Sequence, residues 1–244
     1  MNNLNYLDSL RDRSCFTRNE LRDVMNKYGM SLSEASFKLK LHEHLNSGLI
    51  IRAGRNAYYV PEKGIYNYHY EYSALAEAVV CKLQENHPLL DFTVFEMIQL
   101  NEFTNHQLAH NVVFLSVEGD LGGFAFDSLK EPYPGKVLIN PTTDVFHKYL
   151  YDDMIVVRKL VTESPREQNR PWATVLEKLI VDIIADVLIL DSVSGSEYAN
   201  IYTGAFSKYT VNESRLFRYA KRRGAEKEIL QLIRQKTDIQ LRTR

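Results

Sequence analysis

Two arginines flank what reads as the tightest turn in the chain. In "GLIIRAGRNAYYV", residues 48–60, an apolar run enters through Ile50 and Ile51, breaks at Gly54-Arg55-Asn56 and resumes as Ala57-Tyr58-Tyr59-Val60. Gly and Asn tolerate the left-handed backbone of a tight turn, so the spacing predicts a hairpin of two short strands. Arg52 and Arg55, with Asn56, then stand beyond any core and can reach a phosphate or a minor groove. A second group lies just upstream, in "SLSEASFKLKLHEHLNSG", which reads as a helix opened by Ser31 or Ser33 and stopped at Gly48. Stepping 100° per residue puts Phe37, Leu41 and Leu45 inward, with Ala35 and Leu39 extending the apolar arc. The opposite arc holds Ser33, Ser36, Lys40, Glu43, His44 and Ser47. Small hydroxyls permit close approach to base edges, and cations meet phosphates. Lys38 lies nearer the apolar side and snorkels towards the backbone. A third group sits in "SRLFRYAKRRG", where Arg215, Arg218, Lys221, Arg222 and Arg223 collect towards a helix end. The helix dipole favours cations there, and nucleic acid or an acidic partner suits them equally.

Other chemistry is scarce. The chain has no GxxxxGK[ST], HExxH or GxSxG, and no ordered glycine loop, so no catalytic residue, metal ligand set or cofactor site is expected. A metal-dependent nuclease would begin from Asp91 and Glu118 of "FLSVEGD", but no lysine follows Glu118 by two places to activate a water. His106 and His110 are four apart in "HQLAH" and lack a third ligand; they are expected as surface or core residues. Glu177, Asp182 and Asp186 are expected to solubilise a helix. Cys15 and Cys81 are expected as buried small hydrophobes in a reducing cytosol.

The frame for the first two groups is legible in the first sixty residues. Leu4, Leu7 and Leu10 recur at helical spacing with Tyr6 alongside. "FTRNELRDVMNKYG" opens with Thr17 three residues before Glu20, a reciprocal cap, and closes at Gly29. Two short helices joined by a brief turn and followed by a hairpin give the order of a winged helix-turn-helix, placed at residues 1–62. "PEKGIYNYHYEY" carries four tyrosines without a clean period and marks a boundary, with a linker at 63–72 and aromatics that pack between domains. The rest, 73–244, is expected to be a larger mixed domain. It starts with a helix burying Leu75, Val79, Val80 and Leu83. Then β-rich "FTVFEMI", "NVVFLSVE", "GKVLIN" and "DMIVVRKLV" alternate with helical "LNEFTNHQ", "FAFDSLK" and "DVFHKYLYD". From Trp172 the pattern turns helical, over 174–187, 197–209, 213–223 and 225–236, with Thr210 capping towards Glu213. The fold class is therefore α+β or α/β, with a helical C-terminal part.

The net charge of −1 conceals a split. Residues 1–60 hold 9 Lys/Arg against 6 Asp/Glu, residues 61–211 hold 11 against 21, and residues 212–244 hold 10 against 4. Basic ends on an acidic middle suit a polyanion contacted by part of the chain. The N-terminus lacks a signal-peptide pattern, and the greasiest stretch, "LEKLIVDIIADVLIL", is cut by Asp182 and Asp186, so neither export nor a membrane span is expected and the compartment is cytoplasmic.

In "FTRNELRDVM", "LHEHLNSGLIIRAGRNAYYV", "LNEFTNHQ", "LEKLIVDII" and "KYTVNESRLFRYAKRRG", in that order over most of its length, the chain resembles the AbiEi-like antitoxins of type IV toxin–antitoxin systems, a group of bacterial transcriptional regulators. The resemblance implies an N-terminal winged helix that binds inverted repeats in double-stranded DNA at its own promoter. It also implies a larger C-terminal domain that counteracts a nucleotidyltransferase-like toxin without a stable complex. The wing of that group usually reads Arg-Gly-x-Tyr; here Asn56 stands where glycine is expected, and asparagine accepts the same backbone. The expected function is thus a non-enzymatic DNA-binding regulator; the alternatives are a degraded or unrecognised nuclease-type enzyme with a DNA-targeting winged helix, and a C-terminal domain that only senses or scaffolds a protein partner through its acidic surface.

Overall fold

The structure, a computed structural model, describes residues 5–61 and 67–242. Leu4 and residues 63–66 of the expected linker lie outside the described residues.

The chain opens with α1 (Asn5–Arg11), α2 (Arg18–Lys27) and α3 (Glu34–Asn46), followed by β1 (Ile51–Gly54) and β2 (Ala57–Tyr59). The cap at α2 forms as its spacing requires: the Glu20 backbone N–H donates to Thr17 Oγ1 at 3.3 Å while Glu20 Oε2 accepts from the Thr17 backbone N–H at 2.7 Å. Gly29, at φ +80°, lets the chain turn out of the helix. Phe16, just before α2, exchanges backbone hydrogen bonds of 2.7 and 2.8 Å with Tyr58 and so adds a one-residue third strand beside β2. Tyr6, Leu10, Phe16, Leu21, Phe37 and Tyr58 pack into one small core.

The inward face of α3 differs from the expected one. Phe37 and Leu41 are buried as expected, but the third buried residue is His44, 2% exposed, while Leu45 is only half-buried. Leu39 is 62% exposed and Ala35 is exposed as well. The Tyr6 hydroxyl hydrogen-bonds Nε2 of His44, so a polar ring fits in this core, which apolarity alone does not reveal.

The remaining described residues build a mixed α+β body. Its elements are α4 (Ala74–Asn86), β3 (Phe92–Glu96), β4 (Val112–Val117), α5 (Gly122–Lys130), β5 (Val137–Ile139), α6 (Thr143–Lys148), β6 (Met154–Lys159), α7 (Leu176–Ala185), α8 (Val187–Leu190), α9 (Glu197–Lys208), α10 (Glu213–Arg223) and α11 (Glu226–Lys236). The strands form one sheet in the order β3-β4-β6-β5, antiparallel between β3 and β4 and parallel elsewhere. Every residue of β3 and β4 is buried, as expected when both faces of a sheet are covered. Val113, Leu115, Ile155 and Val157 face α4 and α5, with Val79, Leu83 and Leu129. Phe114 and Val156 face the other side, where α7, α9, α10 and α11 supply Leu179, Ile201, Phe217 and Ile233. The outer edge of β3 is closed by residues 172–174: Val94 N–H donates to the Trp172 carbonyl at 2.7 Å, and Thr174 Oγ1 donates to the Val94 carbonyl at 2.7 Å. Tyr72 completes that edge, its hydroxyl donating to the Val94 carbonyl at 3.0 Å and its ring packed 4.9 Å from Trp172.

Several expectations change. The stretch at 100–107 forms no α-helix; a 3-10 turn over Met97–Glu102 takes its place. The α10 cap is Asn212, whose side chain accepts from Arg215 N at 3.0 Å, and not Thr210. Cys15 is half-buried and Cys81 exposed. Glu177, Lys178 and Asp182 are buried in α7 instead of solvating it. Helix α7 lies between the sheet and α9 and α10, so its charged residues meet partners in the interior. Among the described residues no helix is long and apolar enough to cross a membrane.

Candidate functional site

Three surfaces carry the residues singled out by type and spacing. On α3 the outward face centres on Ala35, Leu39, His42 and Asn46, with Lys38, Ser36 and Glu43 beside them, all exposed. Ser33 Oγ accepts from Ser36 N at 3.2 Å and lies 2.9 Å from Ser36 Oγ, so both hydroxyls are engaged at the helix start. Lys40 sits at the margin and donates to Glu43 Oε2 at 2.9 Å. Lys38 is exposed; its expected place near the apolar side moves with the inward face itself. Glu34 holds the guanidiniums of Arg18 and Arg22 from α2, both over the Phe37 ring at 5.1 and 5.5 Å. Those two cations and His42 and Asn46 were missed in the sequence. The helical phase, once set on His44, would have found the latter pair.

At the hairpin, Arg55 and Asn56 form the two-residue turn, and only Asn56 is left-handed, at φ +54°. Its Oδ1 accepts from Arg18 N at 3.1 Å and clips the turn to the start of α2. Arg55 is exposed and has no hydrogen-bond or ion-pair partner among the described residues. Arg52 is also exposed, but it leans on Tyr58, 5.7 Å from its ring, and lines a different surface. The two arginines therefore do not act at one tip.

That other surface is a cleft of about 640 Å³ where α3, β1, residues 166–170 and the start of α10 converge. Its lining includes His42, Asn46 and Arg52 from α3 and β1, Arg166 and Arg170 from the 166–170 segment, Arg215 from α10, and Tyr70 and Glu177. Three of its arginines are held by carboxylates: Arg166 by Asp91 in a two-pronged pair, Arg170 by Glu167 at 3.1 Å, and Arg215 by Glu177 at 3.5 Å. With those three paired, Arg52 is the arginine of the lining that has no carboxylate partner among the described residues.

The C-terminal basic group divides. Arg215, Arg218 and Arg222 recur at i, i+3 and i+7 on α10, Arg215 in the cleft, Arg218 and Lys221 exposed, and Arg222 bonded to Thr162 Oγ1. Arg223 turns inward, against the expectation, 3.3 Å from Asp182 and 3.5 Å from Asp186. There it joins a buried network: Lys178 donates to Asp182, Tyr219 donates to Asp182 at 2.9 Å, and Arg158 bonds Asp186 and Ser116. Burial pushes the Lys178 ammonium below its usual value. Burial would also push the Asp182 carboxyl up, but the charges of Lys178, Arg223 and Arg158 outweigh it and hold the group below its usual range.

The acids and histidines weighed for metal chemistry are engaged separately. Asp91 pairs with Arg166, and Glu118 Oε1 accepts from the Asp91 backbone N–H at 3.0 Å. His106 bonds Glu197 at 2.7 Å and His110 bonds Asp152 at 2.9 Å, and neither lies on a helix.

Residues 36–239 match a family described as a family of unknown function, DUF6577. No curated protein sequence matches the chain. Among solved structures, the crystal structure of the RV2827C protein from Mycobacterium tuberculosis aligns over 96% of this chain and 80% of that one, at 14% identity and a TM-score of 0.32.

Proposed function

We propose, for a chain that belongs to the DUF6577 family of unknown function, the role of a non-enzymatic, sequence-specific DNA-binding regulator acting in the cytoplasm through an N-terminal winged helix-turn-helix. The observation that carries this reading is the outward face of α3, with Ala35, Lys38, Leu39, His42 and Asn46, standing beside a hairpin whose tip presents an exposed Arg55 that has no ion-pair partner among the described residues. A helix of this length enters a major groove with small, apolar and amide side chains towards base edges, while a cation on the hairpin meets phosphates or the minor groove. Arg218 and Lys221 on α10 offer a second basic contact for the same polyanion.

The finer reading, which rests on the resemblance, is an antitoxin of a type IV system that represses its own operon at inverted repeats and counteracts a nucleotidyltransferase-like toxin. Titration of the full chain against its own upstream DNA in a mobility-shift assay is expected to give a discrete complex at low salt. No complex there removes the DNA-binding reading. Co-expression with the product of the neighbouring gene tests the antitoxin role: restored growth supports it. The nuclease alternative has less support, because Asp91 and Glu118 are tied up by Arg166 and by the Asp91 backbone. Divalent-metal-dependent cleavage lost on Asp91→Asn would bring it back.

A further inference from the structure

We propose that the cleft between α3, β1 and α10 binds a free nucleotide, its phosphate held between Arg52 and Arg215 and its base against Tyr70 and His42. The volume of about 640 Å³ falls within the roughly 300–1,000 Å³ typical of small-molecule sites. Arg52 and Arg215 come from elements that pack on one another, β1 and α10, and both line the cleft. They are also its least neutralised cations. Arg52 has no carboxylate partner among the described residues, and Arg215 shares Glu177, at 3.5 Å, with the Asn212 backbone N–H at 2.9 Å. A guanidinium pair of this kind fits the forked acceptors of a phosphate. Tyr70 is half-buried and stands edge-on to Tyr72 with ring centroids 5.0 Å apart, which fixes one aromatic surface at the cleft. Asn46, Gln168 and Asn169 add amides that both donate and accept, as the edge of a base requires. Anion, planar ring and amide chemistry thus meet in one concavity.

His42 and Asn46 belong both to this cleft and to the outward face of α3. A bound nucleotide therefore competes with operator DNA for them, a consequence that rests on the DNA-binding reading. The cleft itself is tested without DNA. Calorimetric titration of the full chain with 5′-AMP, ATP, adenosine and inorganic phosphate is expected to give saturable binding of a nucleotide below about 1 mM, at least tenfold tighter than adenosine or phosphate alone. Arg215→Gln and Arg52→Gln are each expected to weaken it about tenfold with far-ultraviolet circular dichroism unchanged. Arg55→Ala is expected to leave it unaltered, since Arg55 lies at the turn and outside the cleft lining. Should Arg215→Gln fail to fold, Arg52→Gln alone decides. Absence of saturable binding at 5 mM nucleotide, or an affinity in both Gln variants equal to that of the unsubstituted protein, overturns the proposal. A nucleotide that binds a protein showing no operator complex supports the cleft and removes only the competition.

Discussion

Side chains on α3 divide by what already occupies them. Ser33 and Ser36 spend their hydroxyls on the helix start, and Lys40 spends its charge on Glu43, whereas His42 and Asn46 keep their polar atoms outward. Under the DNA-binding reading, His42→Ala and Asn46→Ala should each cost about 1–3 kcal/mol and blur discrimination at one base position. Competition mobility shifts with single-base operator variants measure this. Ser33→Ala should act differently, lowering stability by about 1 kcal/mol through the lost cap while preserving the ranking of operators. A thermal melt beside the same competition series separates the two effects. The residue pattern gave the helix and its bounds but not its phase. Leu39 reads as core and His44 as surface on apolarity alone, and the partner that satisfies the buried His44 ring, the Tyr6 hydroxyl, lies 38 residues upstream. The hairpin was more legible, because Asn56 at a left-handed turn is a local requirement that its residue type announces.

Between elements, polar joints decide what pH and mutation do. His44 joins α3 to α1, and burial, then the Lys40 charge, lowers its value against a smaller opposing pull from Glu43. A base whose folded value lies below its ordinary 6.5 leaves stability complete above pH 6.5 and removes it as pH falls through the folded value, because the unfolded chain takes the proton first. Circular dichroism of the full chain between pH 7 and pH 5 should therefore show an acid-sensitive loss in the N-terminal helices that His44→Phe abolishes. The second joint is the Lys178–Asp182 pair, which ties α7 to Tyr219 and Arg223 of α10. Lys178→Met leaves Asp182 without its nearest cation in the interior and should cost about 3–5 kcal/mol, and adding Asp182→Leu should recover part of that loss. A double-mutant cycle in urea measures the coupling; additive losses would falsify the joint. These acids misled the sequence reading for a physical reason: a charge on an apolar helix looks like a solvated edge until its partners, on β6 and α10, are known.

Across the whole molecule, the basic N-terminal and C-terminal segments meet each other instead of standing apart. Arg242, near the chain end, lies 4.2 Å over the Tyr59 ring of the hairpin and donates to the Ser14 carbonyl at 3.3 Å, while Glu213 at the start of α10 accepts from its backbone N–H at 2.9 Å. Burial, against the pull of Arg242, pushes the Tyr59 hydroxyl up to about 12, so the ring stays neutral beneath the guanidinium at physiological pH. This terminal strap ties the hairpin to the start of α10, the two elements that carry Arg52 and Arg215. A guanidinium over a partly desolvated ring is worth about 1–2 kcal/mol, which corresponds to roughly a tenfold change in a local opening equilibrium. Arg242→Ala should therefore speed amide hydrogen exchange in β1 and β2 about tenfold while leaving β4 and β6 at their original rates, since those strands lie in the doubly covered sheet. Uniform acceleration would mean that the strap stabilises the entire body, and unchanged exchange in the hairpin would mean that Phe16 and the N-terminal core hold it without help from the C-terminal strap.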